Sequence, residues 1–121
     1  MVLKDFYSVT NTVEEDGLYT TTIKVNGKHE IYNGHFPSRP VTPGVVLMLL
    51  FKENAERILD RKLHLKRAEN VKFAAVFDPN QCELLNLESK FEENGEFVSL
   101  KGIAKNENGI VLKINALYSV L

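Results

Sequence analysis

The chain has a single cysteine, Cys82, so it can form no internal disulfide. Met1–Tyr7 lacks the charged-then-apolar layout of a signal peptide, and with no disulfides this makes a cytoplasmic protein the expectation. Cys82 reads as a half-buried strand residue, because nothing beside it in the chain would activate it as a nucleophile. Charge of one sign is lacking too. With 15 Lys and Arg against 16 Asp and Glu, the formal charge is −1, so neither nucleic acid nor an anionic membrane surface is an expected partner. The apolar run Val45–Phe51 falls well short of the roughly 20 residues that cross a bilayer. Linkers, internal repeats and low-complexity stretches are missing, and 121 residues fit one domain spanning 1–121. His29, Glu30 and His35 have no further ligand at ordinary spacing, so no metal and no other cofactor is expected.

What the chain does have is concentrated in residues 35–62. Pro37, Pro40 and Pro43 fix φ near −65° and remove backbone donors, which predicts a stiff extended loop around Arg39. A helix follows, with Thr42 placed to cap it and Pro43 at its first position. Because Val45–Phe51 is apolar without interruption, every side of the first two turns is apolar and the helix must be wrapped by protein. Further on, Ala55, Ile58 and Leu59 continue an apolar stripe, while Lys52, Glu56, Asp60 and Arg61 suit water.

Elsewhere the pattern has period two. Residues 5–12 predict a short strand, followed by an acidic turn at Glu14, Glu15 and Asp16. In 17–25, Tyr19, Thr21, Ile23 and Val25 share one face, and Asn26–Gly27 ends the strand. After the helix, Val71, Phe73, Ala75 and Phe77 alternate; then Leu85, Leu87 and Phe91; then Val98, Leu100 and Ala104, with Gly102 marking a bulge or a close backbone approach. Ile110, Leu112, Ile114, Ala116, Tyr118 and Val120 form the last strand. Asn-Gly pairs at 94–95 and 108–109 join the final three into an antiparallel meander. Two strands, one helix apolar all round, and four strands argue for an α+β fold in which a curved antiparallel sheet wraps one long central helix.

Gly34-His35-Phe36-Pro37 followed by Arg39-Pro40-Val41-Thr42-Pro43-Gly44-Val45 resembles the active-site segment of the beta-hydroxyacyl-[acyl carrier protein] dehydratases, which have the hotdog fold. Val71-Lys72-Phe73 resembles the strand after that family's helix. The resemblance implies that His35 is the general base removing a Cα proton from a (3R)-3-hydroxyacyl thioester. It implies that the backbone N–H of Gly44 meets the thioester carbonyl at the helix start, where donor and helix dipole both favour a developing enolate. Phe36 and the proline loop would shape the tunnel mouth, with Val45 and Leu49 along the substrate. It also implies a homodimer, since in that family two protomers build each site, and a substrate carried by acyl carrier protein or coenzyme A.

One departure stands out. Fourteen residues after the histidine, where the family carries an acid that protonates the departing hydroxyl, this chain has Leu49; four residues later, where glutamine is usual, it has Glu53. One helical turn separates the two, about 6 Å along nearly the same face. Glu53 is therefore either a displaced acid or a carboxylate that serves the surface. A positioned acid is worth about 10²–10⁴-fold in rate, so the difference matters. Three functions follow: a dehydratase in fatty acid or related lipid synthesis with His35 as base and Glu53 as acid; a hotdog thioesterase in which Glu53 activates water; and a subunit whose acid comes from another hotdog chain. An acidic carrier needs cations near the tunnel, and Arg39, Arg57, Arg61, Lys62, His64, Lys66 and Arg67 are the expected docking cluster.

Overall fold

A computed structural model describes residues 3–33 and 41–121. Six strands and one long helix follow in the order β1 (Tyr7–Glu15), β2 (Leu18–Val25), α1 (Gly44–Leu59), β3 (Leu63–Phe73), β4 (Leu84–Asn94), β5 (Phe97–Asn106) and β6 (Gly109–Val120), with a 3₁₀ turn at Glu30–Tyr32. They make one antiparallel sheet in the order β1-β2-β4-β5-β6-β3, so the meander β4-β5-β6 forms as its turns predict. The chain enters β2 through a two-residue turn, Asp16–Gly17, with φ of 51° and 83°. This handedness matches the twist of the flanking strands, and the Glu14 carboxylate accepts the Gly17 N–H at 2.8 Å.

Helix α1 lies on the inner face of the sheet. Val46, Leu47, Leu50, Phe51 and Ala55 are buried there against Ile23, Leu85, Leu87, Val98, Leu100 and Leu112, all on strand positions of one parity. Gly102 is the close approach that its place in β5 suggests. A Cβ there would lie 2.7 Å from Cε1 of Phe51 and 3.1 Å from Cγ2 of Ile114, so the ring occupies the space that a side chain would need.

Four local expectations are corrected. Pro43, with extended backbone, is the N-cap and supplies no side-chain bond, while Gly44 is the first helical residue. Thr42 instead pairs its hydroxyl with the Tyr32 phenol at 2.8 Å in the core. The strand after the helix runs over 63–73 rather than 71–77, because an edge strand that is exposed on both faces carries no alternation to read. Cys82 is half-buried but precedes β4 rather than lying in a strand. Nor does the sheet wrap the whole helix: Val45 is 68% exposed.

Candidate active site

The helix start and the uncovered side of the helix define the site. Val46 and Leu47 both donate to the Pro43 carbonyl, at 3.0 and 3.3 Å, which leaves the Gly44 and Val45 amides of the first turn without an acceptor among the described residues. Such amides, at the positive end of the helix dipole, suit a carbonyl oxygen gaining negative charge. Over Gly44 lies the half-exposed ring of Phe73, so close that a Cβ would sit 2.6 Å from Cζ.

From Val45 a groove of about 350 Å³ runs along the helix, lined by Val45, Met48, Leu49 and Lys52 on α1 and by Leu65, Ile114 and Tyr118 on β3 and β6. Among the described residues Lys52 is the only charged one in this lining, and its ammonium is drawn to Glu56 at 3.6 Å. The groove can hold an alkyl chain; it offers almost no hydrogen bonds to anything polar. Tyr118 is buried in its wall, and burial, with the nearby Glu56 charge second, pushes its phenol well above the ordinary value. The sequence places Met48 only within the apolar run and Tyr118 only in the last strand, and it does not single out Leu65; the packing of α1 against β3 and β6 brings the three together.

Leu49 lines this groove and Glu53 does not. One turn further on, Glu53 faces the N-terminal segment: its Oε2 accepts the Leu3 N–H and its Oε1 accepts the Tyr7 hydroxyl, both at 2.9 Å. Burial raises the Tyr7 phenol strongly, and the bond to Glu53 and that carboxylate's charge raise it further. The segment is held from its other side as well. His29 contacts the Lys4 carbonyl through Nε2 at 2.8 Å and accepts the Ile31 N–H on Nδ1 at 3.0 Å, which engages both ring nitrogens. Among the described residues no group of three His, Cys, Asp or Glu side chains converges as a metal site.

His35, Phe36 and Arg39 lie outside the described residues. Of the other expected docking cations, Arg57 turns inward, donating to Asn54 Oδ1 (2.6 Å), Thr12 Oγ1 (2.9 Å) and Thr21 Oγ1 (3.3 Å). Arg61 pairs with Glu93 and Arg67 with Glu69. Lys62, His64 and Lys66 remain exposed. Of the expected cluster, two arginines are ion-paired and a third is hydrogen-bonded within the chain.

A profile of the ApeI-like family, described as ApeI dehydratase, matches residues 10–109. The chain belongs to the ApeI-like dehydratase family. None of the curated proteins matches this family member's sequence. Among solved structures it is similar to the dehydratase heterocomplex ApeI:P from Xenorhabdus doucetiae, with a TM-score of 0.73, 16% identity, and coverage of 93% of this chain and 96% of that one. It is similar also to a hypothetical thioesterase with coenzyme A from Streptococcus pneumoniae TIGR4, with a TM-score of 0.69 and 14% identity, covering 99% and 91% of the two chains. An uncharacterised protein, PH1136 from Pyrococcus horikoshii, shares 15% identity at a TM-score of 0.69, over 99% of this chain and 86% of that one. At these identities the likeness establishes the fold: this ApeI-like protein is a hotdog protein, as its central segment implies. Among the described residues no helix is long and apolar enough to cross a membrane.

Proposed function

We propose that this ApeI-like protein is a hydro-lyase that removes water from a (3R)-3-hydroxyacyl thioester carried by acyl carrier protein or coenzyme A. The observation that carries the reading is the continuity of the apolar groove with the amides that start α1, because Val45 belongs to both. The acyl chain lies along Met48 and Leu49, and the thioester oxygen meets the Gly44 N–H. His35 takes the Cα proton, and the electron pair left on Cα forms the double bond as the C3–O bond breaks. The hydroxide leaves as water with a proton from an acid; for Glu53 to be that acid its carboxyl must leave Leu3 and Tyr7 and turn into the groove.

A second reading is favoured by Leu49 in the groove and by the occupation of both Glu53 oxygens. In it the acid comes from a second chain seated against the uncovered helix face. The Xenorhabdus relative, a dehydratase heterocomplex, supports an assembly of that kind, with another hotdog chain or a second copy of this one. The Streptococcus pneumoniae relative supports testing hydrolysis beside elimination.

The test presents a 3-hydroxyacyl carrier-protein thioester to the pure protein and follows enoyl product and free thiol together, for the parent, His35→Ala and Glu53→Gln. Enoyl product that His35→Ala abolishes is the expected result, and its loss with Glu53→Gln as well makes Glu53 the acid. Enoyl product lost with His35→Ala but kept with Glu53→Gln assigns the acid elsewhere. Thiol release without enoyl product overturns elimination in favour of hydrolysis. Silence that ends only when a second hotdog chain is added supports the shared site.

A further inference from the structure

The face of the sheet turned away from the helix concentrates cations that the chain does not neutralise. On this face Lys90 of β4 stands directly opposite Lys101 of β5, and Lys113 of β6 directly opposite Lys72 of β3. Lys101 and Lys113 are diagonal neighbours, since Lys101 pairs with Asn115 and Lys113 with Ile103. All four lysines are exposed, and none has a carboxylate within ion-pair distance among the described residues. The acid set among them, Glu88, is paired with Lys105. Like charges placed directly across a strand pair weaken a sheet, and here the arrangement occurs twice within one patch of a chain whose net charge is −1.

The patch borders a cavity of about 440 Å³ lined by Lys90, Lys101, Lys113, Glu88, Asn70 and Ile103, among others. Ile114 lines both this cavity and the apolar groove on the helix side. By register Ile114 stands across from the stretch where β3 bulges between Glu69 and Lys72, with Asn70 at φ 52°.

We infer that this lysine patch on the outer face of β3–β6 is the docking surface for an acidic protein helix, which under the function proposed above belongs to the carrier presenting the thioester. The spacing fits. Neighbouring strands root opposed lysines about 4.8 Å apart and diagonal ones about 7–8 Å, within reach of each other's flexible side chains, and carboxylates one turn apart on a helix rise about 6 Å. A lipid surface fits less well, because among the described residues none of the exposed large apolar side chains, such as Phe73, Val76 or Phe97, is part of the cavity lining to act as an inserting wedge. The patch also takes the role that Arg57, Arg61 and Arg67 were expected to play, since those three are engaged within the chain.

Lys101→Glu and Lys113→Glu, singly and together, test the inference, because each converts an opposed like-charge pair into an opposite-charge pair. The fold becomes more stable and docking becomes weaker, so a purely structural role and a docking role move in opposite directions. Dehydration of one 3-hydroxyacyl group is measured on acyl carrier protein and on pantetheine, which lacks the acidic helices. The expected result is a rise of at least tenfold in KM for the carrier-protein substrate in the double variant, with unchanged kcat/KM for the pantetheine substrate. The parent's decline in carrier-protein kcat/KM between 50 and 300 mM NaCl should flatten in that variant. Equal effects on both substrates, or none on either, overturn the inference. If the parent is silent on both substrates the function proposed above fails, and the docking surface is still tested by anisotropy of labelled carrier protein, which the double variant should bind at least tenfold more weakly. Sedimentation with anionic vesicles that depends on the lysines, together with unaltered carrier-protein binding, reassigns the patch to a membrane and overturns it as well.

Discussion

Tyr7 and Glu53, 46 residues apart in the chain, are joined by a 2.9 Å hydrogen bond from phenol to carboxylate that ties the edge strand β1 to the middle of α1. With the Leu3 amide on the other oxygen, the carboxylate is held in one orientation. Tyr7→Phe removes one of two donors to a half-buried carboxylate, and a bond of that kind is worth roughly 1.5–3 kcal/mol. The urea midpoint should fall accordingly, with an unchanged m-value. A stability change below experimental error would show that the bond is not formed in solution.

Alkaline pH should unfold the protein through its phenols. Tyr7, Tyr32 and Tyr118 are each raised above their ordinary value, first of all by burial. A group whose folded pKa lies above its unfolded value, here about 10, contributes stability in full below that unfolded value. The contribution is lost as pH climbs toward the folded value. Stability measured by urea should therefore be flat with respect to these groups up to about pH 9.5 and fall beyond it. Tyrosinate absorbance from the three should appear together with loss of the fold; its appearance in still-folded protein would contradict the burial.

Two glycines should respond differently to the same added methyl group. At Gly102 the methyl meets Phe51, which is fully buried and has nowhere to go, so Gly102→Ala should cost about 1–3 kcal/mol, as overpacking does. Phe51→Leu in the same chain should recover part of that cost. At Gly44 the methyl meets Phe73, which is 51% exposed and free to swing outward. Gly44→Ala should change stability little and instead raise KM, the opposite split from Gly102→Ala.

Thr42→Val should act on both stability and rate. Thr42 and Tyr32 are buried and hydrogen-bonded to each other, and they flank the segment that contains His35. Leaving the Tyr32 hydroxyl unpaired costs about 1–3 kcal/mol. Because the pair joins the two ends of that segment, kcat should fall more than KM rises. Equal loss of both through a reduced folded fraction would mark the pair as structural only.

Leu49→Glu places a carboxylate in a groove with almost no polar lining. Under the reading in which the groove lacks an acid of its own, dehydration should rise by 10-fold or more, since a positioned acid is worth about 10²–10⁴-fold. No rise, in protein shown to be folded, would mean that Leu49 does not stand beside the departing hydroxyl.

Much of this molecule could be read from residue order. Uninterrupted apolar side chains at Val45–Phe51 called for a covered helix, and alternation in 17–25, at Leu85, Leu87 and Phe91, and at Val98, Leu100 and Ala104 called for strands with one buried face. Gly102 could be singled out because a residue without a side chain in an alternating strand leaves room for a neighbour. Strand β3 could not be read this way, because an edge strand exposed on both faces has no apolar period. Thr42 misled because a threonine before Pro-Gly satisfies the local rule for capping, and a buried phenol outcompeted that rule. The partners of Arg57, Arg61 and Arg67 were out of reach for a related reason: linear proximity counts charges but says nothing of what each one meets.

The sequence by itself determined which residues are apolar, with what period, and where turns interrupt them, and these local properties suffice to specify a sheet around a helix. Tertiary structure decided what each polar group faces. Whether Glu53 points into the groove or back to Leu3 and Tyr7, and which lysines stand opposed and unpaired, depends on strand register and helix rotation. Those are set by packing across the whole sheet, where a shift of one residue exchanges the two faces.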